Sequence, residues 1–577
     1  MKWSATVLEP VAVAERPGNA TAPTGVRNLF ETLLRHWVQQ ERWQLHSVLF
    51  LCVWLLATAT VVAWIEPLPQ AKFGHDTTGF LDGAWRVWSG QRPHVDFFSS
   101  LGPITYLIFA AGLAWGKLDP AGVGPVMAFC GLLLGVWAYM ISRVRLLPPV
   151  AALFAVFVAL LGTAPYALSF EPWQPTYAMI YNRLGYSLLA IVIIEGFAPL
   201  FVKKQTKSQR LIGGLSSGLA LGIVFFLKIS YFGIGLGLFA VSLTITSRNR
   251  ERLAGMITGF TVVFLVMFAY LRFDVAAFLA DMHATAKARS SGLFVRRLRV
   301  ILNAELPYLL GIAALLAAEF SKSSKSNRAA VRCLIMAVAI SVADLALCGT
   351  NQQLPYFPLT VVAALLLVNE ATLYARRLTE SDLRLSALLL SVVIGWGIIR
   401  SVSYLGADTE GLIFAATTAA SRGELQNAAT IDAPHMRDLV FLPTDDHLRG
   451  SNGPLYTHFV NQGLGLLRKY SGPHDSVVTL GYSNPFSYAL LRPPAHGGSP
   501  FWAEDSNYSE QSLPSTDKLI GDAAVVMIPM DKDHPGKAEA PMLEKACMPI
   551  LKKNFRLAAE TDMWRMYVRA SSPRAAS

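Results

Sequence analysis

The sequence is poor in charge. Asp, Glu, Lys and Arg make up only 15% of its 577 residues, against roughly 25% in an ordinary soluble chain. That shortage excludes a conventional water-soluble enzyme. Cysteine is scarce as well. Four of the five cysteines, Cys52, Cys130, Cys333, Cys348 and Cys547, lie in or at the ends of apolar segments, so neither a disulfide framework nor a metal-ligand spacing is visible. There is no signal-peptide pattern. The first 25 residues lack a long apolar run, and the first such run begins near Ser47, too far in and too long for an h-region. No internal repeat is evident. What the chain has instead is hydrophobic residues, 53% of the total, with a mean hydropathy of +0.40. Its net charge of +11 is broken into short basic clusters between apolar runs. That distribution points away from nucleic acid, which asks for one continuous basic face.

A helix needs about 20 mostly apolar residues to span a bilayer. Eleven segments qualify, near 47–65, 121–141, 149–166, 184–202, 211–228, 231–247, 253–272, 300–318, 331–348, 355–374 and 385–404. The run 103–116, "PITYLIFAAGLAWG", is too short and reads as an interfacial or re-entrant helix. Residues 27–45 carry Phe30, Leu33, Leu34 and Trp37 at helical spacing, as in a helix lying on a membrane surface or a plain soluble helix. With the N-terminus inside, each inside loop is basic: Arg143 and Arg145; Lys203, Lys204, Lys207 and Arg210; Arg248, Arg250 and Arg252; Lys322, Lys325, Arg328 and Arg332; Arg376, Arg377 and Arg384. This is the positive-inside pattern. One outside loop, 273–300, breaks it with Lys287, Arg289, Arg296, Arg297 and Arg299.

The expected fold class is therefore a polytopic α-helical membrane protein of about eleven transmembrane helices with a small α/β C-terminal domain. The expected organisation is a cytoplasmic tail with its interfacial helix at 1–46, a membrane domain at 47–404 with an outer loop at 66–120, and an outer domain at 405–577. In that last part "SVVTL" (476–480) and "AAVVMI" (523–528) read as buried strands, and 555–569 as a hairpin turning near Thr561 and Asp562.

Chemistry is expected at the outer edge of the first span, in "FGHDTTGFLDGAWRVWSGQRPHVDFFSSLGPITYL" (73–107). Phe80, Ala84, Val87 and Trp88 suggest an amphipathic helix along the surface, and Asp76 lies just before it. A carboxylate there can take a proton from an attacking hydroxyl or help hold a metal on a phosphate. Asp-Thr-Thr also reads as a helix N-cap. Asp96 is the runner-up acid, equally a structural acid before Phe97 and Phe98. Asp82 falls on the solvated side of the helix. His75 is placed to hydrogen-bond Asp76 or a phosphate, or is simply a surface histidine. In the second outer loop Glu171 is a candidate acid, and Tyr181, Asn182 and Arg183 open the fourth span. An arginine entering a bilayer needs a partner or a cavity, and Arg183 can fork onto a phosphate or snorkel from an aromatic belt. Lys228 lies at an outer turn, and Arg296 and Arg297 lie in the rule-breaking loop; together they suit a lipid phosphate or anionic head groups. Asn351 and Gln352 suit sugar hydroxyls or a polar turn.

Asp76, Ala84, Gly90, Pro93, Asp96, Gly102, Pro103 and Tyr106 outline a stretch that resembles the membrane-embedded GT-C glycosyltransferases. The likeness is to the bacterial branch related to protein mannosyltransferases and lipopolysaccharide sugar transferases. It covers the layout of roughly 50–400. The resemblance implies a polyprenyl-phosphate-linked sugar as donor, a glycan, lipid or protein as acceptor, and a place in the bacterial inner membrane with the C-terminal domain periplasmic. It also implies Asp76 as catalytic base. The family's Asp-Glu or Asp-X-Asp pair is missing, since Thr77 and Thr78 follow Asp76, which leaves a divalent cation (Mg or Mn) open. Two other classes remain. A transporter or flippase of a lipid-linked sugar would use acids within spans, for which Asp344 and Glu195 are available. A structural envelope-assembly protein would leave Asp76 without a role.

Overall fold

The computed structural model describes residues 43–200, 206–245, 250–288, 306–322, 327–351, 356–378, 380–445, 452–530 and 540–570. The helix expected at 27–45 lies outside them, apart from its last three residues. Fourteen helices form the membrane part among the described residues. They are α1 (Trp43–Trp64), α2 (Gly74–Trp88), α3 (Pro103–Trp115), α4 (Val123–Ser142), α5 (Pro148–Thr163), α6 (Ile180–Phe197) and α7 (Lys207–Leu227). They continue with α8 (Ile229–Ile245), α9 (Arg250–Tyr270), α10 (Val275–Ala288), α11 (Leu306–Ser321), α12 (Asn327–Asn351), α13 (Pro358–Ala375) and α14 (Glu380–Ala420).

Each of the eleven apolar segments coincides with one of these helices. Eight are long and apolar enough to cross a bilayer; α5, α8 and α11 are apolar but only 16, 17 and 16 residues long. The protein is a polytopic helical membrane protein. Helix α14 runs for 41 residues, about 60 Å at 1.5 Å per residue. It therefore continues well past the span expected to end near 404, into what the composition marked as tail. Helix α6 is the centre of the bundle: 94% of its most apolar stretch is buried, against 28% for α1 and 22% for α9.

Helices α7 and α9 touch backbone to backbone. A Cβ added at Gly214 or Gly218 would lie 1.9 or 2.1 Å from the carbonyl oxygens of Arg252 and Met256, and one at Gly255 or Gly259 would meet those of Leu211 and Leu215 at 2.2 and 2.4 Å. Small residues four apart on both helices are how helices approach closely where lipid offers no hydrophobic drive.

The C-terminal part is a small α/β layer. β3 (Val477–Thr479) pairs parallel with β4 (Val525–Pro529), which pairs antiparallel with β6 (Trp564–Arg569); β5 (Phe555–Glu560) closes the sheet in the order β3-β4-β6-β5. Both expected strands and the expected hairpin are present. Thr561 makes the turn, its hydroxyl accepting from the backbone of Met563 and Trp564. A two-stranded piece, β1 (Ala429–Thr430) with β2 (Val440–Phe441), takes Gln70 as a third partner: Gln70 N donates to Val440 O and Leu442 N to Gln70 O, both at 2.8 Å. The segment after α1 is thus stitched into the C-terminal layer.

That layer changes the environment of α2. Its spacing suggests a helix resting on a surface, yet most of its residues are buried. Asp82, expected to be solvated, is fully buried with Arg86 at 2.8 Å. Arg86 also donates to the carbonyls of Ala495 and Gly497 at 2.9 and 3.0 Å, and Asn484 donates to the other oxygen of Asp82 at 3.2 Å. Trp85 Nε1 donates to Arg492 O at 2.7 Å. Residues 484–497 cover the face that the helical pattern left polar.

Candidate functional site

Asp76 is placed by the way α2 begins. Phe73 takes a left-handed conformation (φ 53°) as N-cap and offers no side-chain cap, so the helix starts at Gly74 and Asp76 is its third residue. The N-cap role open to Asp76 in the sequence therefore falls to Phe73, and the Asp76 carboxylate is available for other contacts. It is 7% exposed. Tyr482 donates its hydroxyl to Oδ1 at 2.8 Å, and His75 Nε2 stands 3.4 Å from the same oxygen. The backbone N–H of Met179 is the third group turned to it. Burial lifts the Asp76 carboxyl above the ordinary range, while His75, Tyr482 and Met179 each favour the charged form and oppose the lift. The expected pairing of His75 with Asp76 is thus present. Around them His75 packs edge-on against Tyr482 (4.2 Å between ring centroids) and lies within 6.3 Å of Tyr456. Thr78 bonds the Tyr456 hydroxyl.

Met179 is left-handed (φ 56°) and caps α6, which makes the loop 164–179 a bridge between two parts of the site. One end holds Asp76; the helix it starts carries Tyr181, Asn182 and Arg183. Lys228, at the turn between α7 and α8, is 6% exposed, donates to Asn182 Oδ1 at 3.4 Å and lies 4.5 Å from the centre of the Tyr181 ring. Tyr181 meets Phe80, one turn along α2 from Asp76, at 6.1 Å. A buried ammonium and a buried carboxylate are therefore held on the two sides of one helix start. The amide nitrogen of Asn182 is buried with no partner, so the ammonium side keeps a donor in reserve.

Three expected residues go elsewhere. Arg183 is 1% exposed and most of its guanidinium is engaged: Nη1 meets Asp408 Oδ1 at 3.0 Å, Nε donates to Tyr166 O at 2.6 Å, and the guanidinium lies 4.0 Å from the Tyr166 ring, while Nη2 has no partner. Tyr166 donates to the same Asp408 oxygen at 2.9 Å. Asp96 accepts from Arg92 N at 2.7 Å while Asp96 N donates to Arg92 O at 2.9 Å, closing the turn that precedes Phe97. Glu171 is exposed in the loop, its backbone carbonyl accepting from Gln174 N at 3.0 Å. Arg296, Arg297 and Gln352 lie outside the described residues, and Asn351 closes α12.

Sequence reasoning missed Tyr482, Tyr456 and the Met179 amide. Tyr482 and Tyr456 stand about 400 residues from Asp76 in tracts without a motif, and a backbone N–H carries no sequence signal. Among the described residues no group of three or more His, Cys, Asp or Glu side chains gathers; a cation held by one carboxylate and substrate phosphates needs no such group.

The chain is similar in layout to the crystal structure of ArnT from Cupriavidus metallidurans bound to undecaprenyl phosphate, with 14% identity and a TM-score of 0.42 over 91% of this chain and 98% of that one. The apo form of the same ArnT gives 13% identity and a TM-score of 0.36 over 89% and 97%. The archaeal oligosaccharyltransferase AglB from Archaeoglobus fulgidus, in complex with an inhibitory peptide and a dolichol-phosphate, gives 11% identity and 0.34 over 90% and 74%. No family model and no curated protein matches the chain.

Proposed function

We propose that the chain is an inverting membrane glycosyltransferase of the GT-C type. It moves a sugar from a polyprenyl-phosphate donor to a hydroxyl of a periplasmic lipid, glycan or protein. The observation that carries this reading is the buried Asp76 carboxylate, held by Tyr482, His75 and the Met179 amide beside the Tyr181–Asn182–Lys228 cluster.

In this reading the acceptor hydroxyl approaches Asp76, whose carboxylate takes the proton as the oxygen attacks the anomeric carbon. The new C–O bond forms on the face opposite the phosphate, the bond from the anomeric carbon to the phosphate oxygen breaks, and polyprenyl phosphate departs with its electron pair. Lys228 is the cation for that departing charge. Its burial makes the attraction count for more than it would in water. Tyr482 and His75 favour the charged form of Asp76 and oppose the lift that desolvation gives its carboxyl. The donor enters from the bilayer, and the site faces the periplasmic side of the bacterial inner membrane.

The transport reading loses one of its two intramembrane acids. Glu195 is taken by Arg252 at 2.7 Å, Arg145 at 3.5 Å and Ser217 at 2.9 Å. Asp344 is fully buried in α12, and neither of its carboxylate oxygens has a hydrogen-bond partner, so it stays available to that second reading.

The test is complementation. In a strain deleted for this gene, wild type and Asp76→Asn are expressed to equal membrane levels and the envelope glycans are compared. Glycan restored by wild type and lost with D76N supports the reading. Full restoration by D76N removes Asp76 from the mechanism.

A further inference from the structure

Asp281, in α10, has no part in the reaction just described. It is fully buried. Three groups converge on its carboxylate. Lys518, from the C-terminal layer, donates to Oδ1 at 2.8 Å; Ser99 N–H donates to Oδ2 at 3.1 Å; His94 Nδ1 stands 3.1 Å from that second oxygen. Asp281 thus joins three parts of the molecule: α10, the segment 89–102 between α2 and α3, and the C-terminal layer. A buried carboxylate is costly unless donors surround it, and here each oxygen has at least one. His94 is left-handed (φ 70°), a conformation that a non-glycine residue keeps only where its surroundings hold it. Its ring also meets Phe278 of α10, at 4.7 Å between centroids. The backbone ties the same parts together: Gly497 N donates to Asp96 O at 2.7 Å, Phe98 N to Gly498 O at 3.0 Å, and Gly498 N to Lys518 O at 2.8 Å.

The segment that Asp281 holds ends against α7. Ser99 Oγ donates to Leu101 O at 2.7 Å and accepts from Leu101 N at 3.1 Å, which closes the turn. Gly102 then donates its N–H to Leu227 O at 3.0 Å, and a Cβ at Gly102 would lie 1.9 Å from Phe226 O. The two backbones therefore touch with no side chain between them. Leu227 is the last residue of α7, and Lys228 follows it. Phe278, one turn before Asp281, packs on Phe226 with 5.7 Å between ring centroids, so α10 seats on the same end of α7. We propose that Asp281 is a positioning residue for the donor side of the site: through Ser99 and Gly102 it fixes the end of α7, and with it the place of the Lys228 ammonium beside Asn182 and Tyr181. This rests on the reading of Lys228 as the cation for the departing phosphate. The C-terminal layer then braces both halves of the site, the base through Tyr482 and the cation through Lys518 and Asp281.

The experiment measures binding of polyprenyl phosphate, the departing group itself, to purified full-length protein by calorimetry. The proteins are wild type, K228M, D281N, K518M and the double variant D281N/K228M, each with its melting temperature recorded. D281N keeps the shape of the side chain but accepts on one oxygen alone. It is expected to bind about tenfold more weakly than wild type, the lower end of what a hydrogen bond to a charged group is worth. K518M takes away only the half-buried donor and is expected to fold in any case; its loss is smaller, at most about fivefold, as for a partly exposed ion pair. The double variant is expected to bind no more weakly than K228M alone, because Asp281 acts through Lys228. Binding like wild type in K518M and in folded D281N overturns the proposal. So do losses that multiply in the double variant, which make Asp281 a residue of the general fold. Where D281N does not fold, K518M decides by itself, and its binding like wild type overturns the proposal. A wild type that does not bind, or a K228M that binds like it, overturns the reading of Lys228 itself, and the positioning role goes with it.

Discussion

Tyr482 donates its hydroxyl to Asp76 at 2.8 Å across 406 residues of sequence. The C-terminal layer thereby supplies a direct contact to the proposed base, as well as covering α2. The Tyr482→Phe variant should keep its fold, since one hydroxyl is worth about 0.5–1.5 kcal/mol, and should lose activity by roughly that energy, about three- to tenfold. Its pH profile is more telling. Asp76 works as a base only when ionised, and Tyr482 favours the ionised form. The acid limb of the wild-type rate profile should therefore move to higher pH in Y482F. An unmoved limb would take Tyr482 out of the account.

Lys228 should act on the donor. Lys228→Met is expected to weaken use of the lipid-phosphate sugar by roughly 10- to 100-fold, the worth of about 1.5–3 kcal/mol for a hydrogen bond to a charged group, with a smaller effect on the acceptor. Steady-state kinetics with each substrate varied in turn checks this. A variant that loses acceptor use alone would contradict the assignment.

Arg183 separates two roles cleanly. Its ion pair with Asp408 is buried, so Arg183→Ala should destabilise by about 3–5 kcal/mol by leaving a lone buried charge. The double variant R183M/D408L should recover most of that stability. If activity returns along with stability, Arg183 serves the fold. If stability returns without activity, it meets the phosphate after all.

Arg86 anchors the C-terminal layer to α2 through Asp82, Ala495 and Gly497. Arg86→Ala should cost about 3–5 kcal/mol for the same reason. The loss should be read as a lower melting temperature and faster proteolysis within 484–497. An unchanged melting temperature would mean that the layer is held by other contacts.

How much of this was legible in the sequence depends on the range of the contact. The eleven apolar runs each became a helix, because a bilayer-length apolar run has few other solutions. Helix α2 and the 555–569 hairpin were readable from local spacing. The burial of Asp82 was not, since residues 484–497 that cover it lie about 400 positions away. For the same reason the sequence offered Arg183 a phosphate where the fold gives it Asp408, a carboxylate inside the extended α14 that a span ending near 404 left out. Tyr181, Asn182 and Lys228 were each legible as polar groups at span ends, but their meeting was not, since Lys228 lies 46 positions from Asn182.

The most direct measurement is transfer by the purified protein from a polyprenyl-phosphate-linked sugar to an acceptor hydroxyl, comparing wild type with Asp76→Asn. The account predicts product of inverted anomeric configuration with wild type. It predicts a rate at least about 100-fold lower with D76N at an unchanged melting temperature. Equal rates for the two proteins, or a retained configuration in the product, would contradict it.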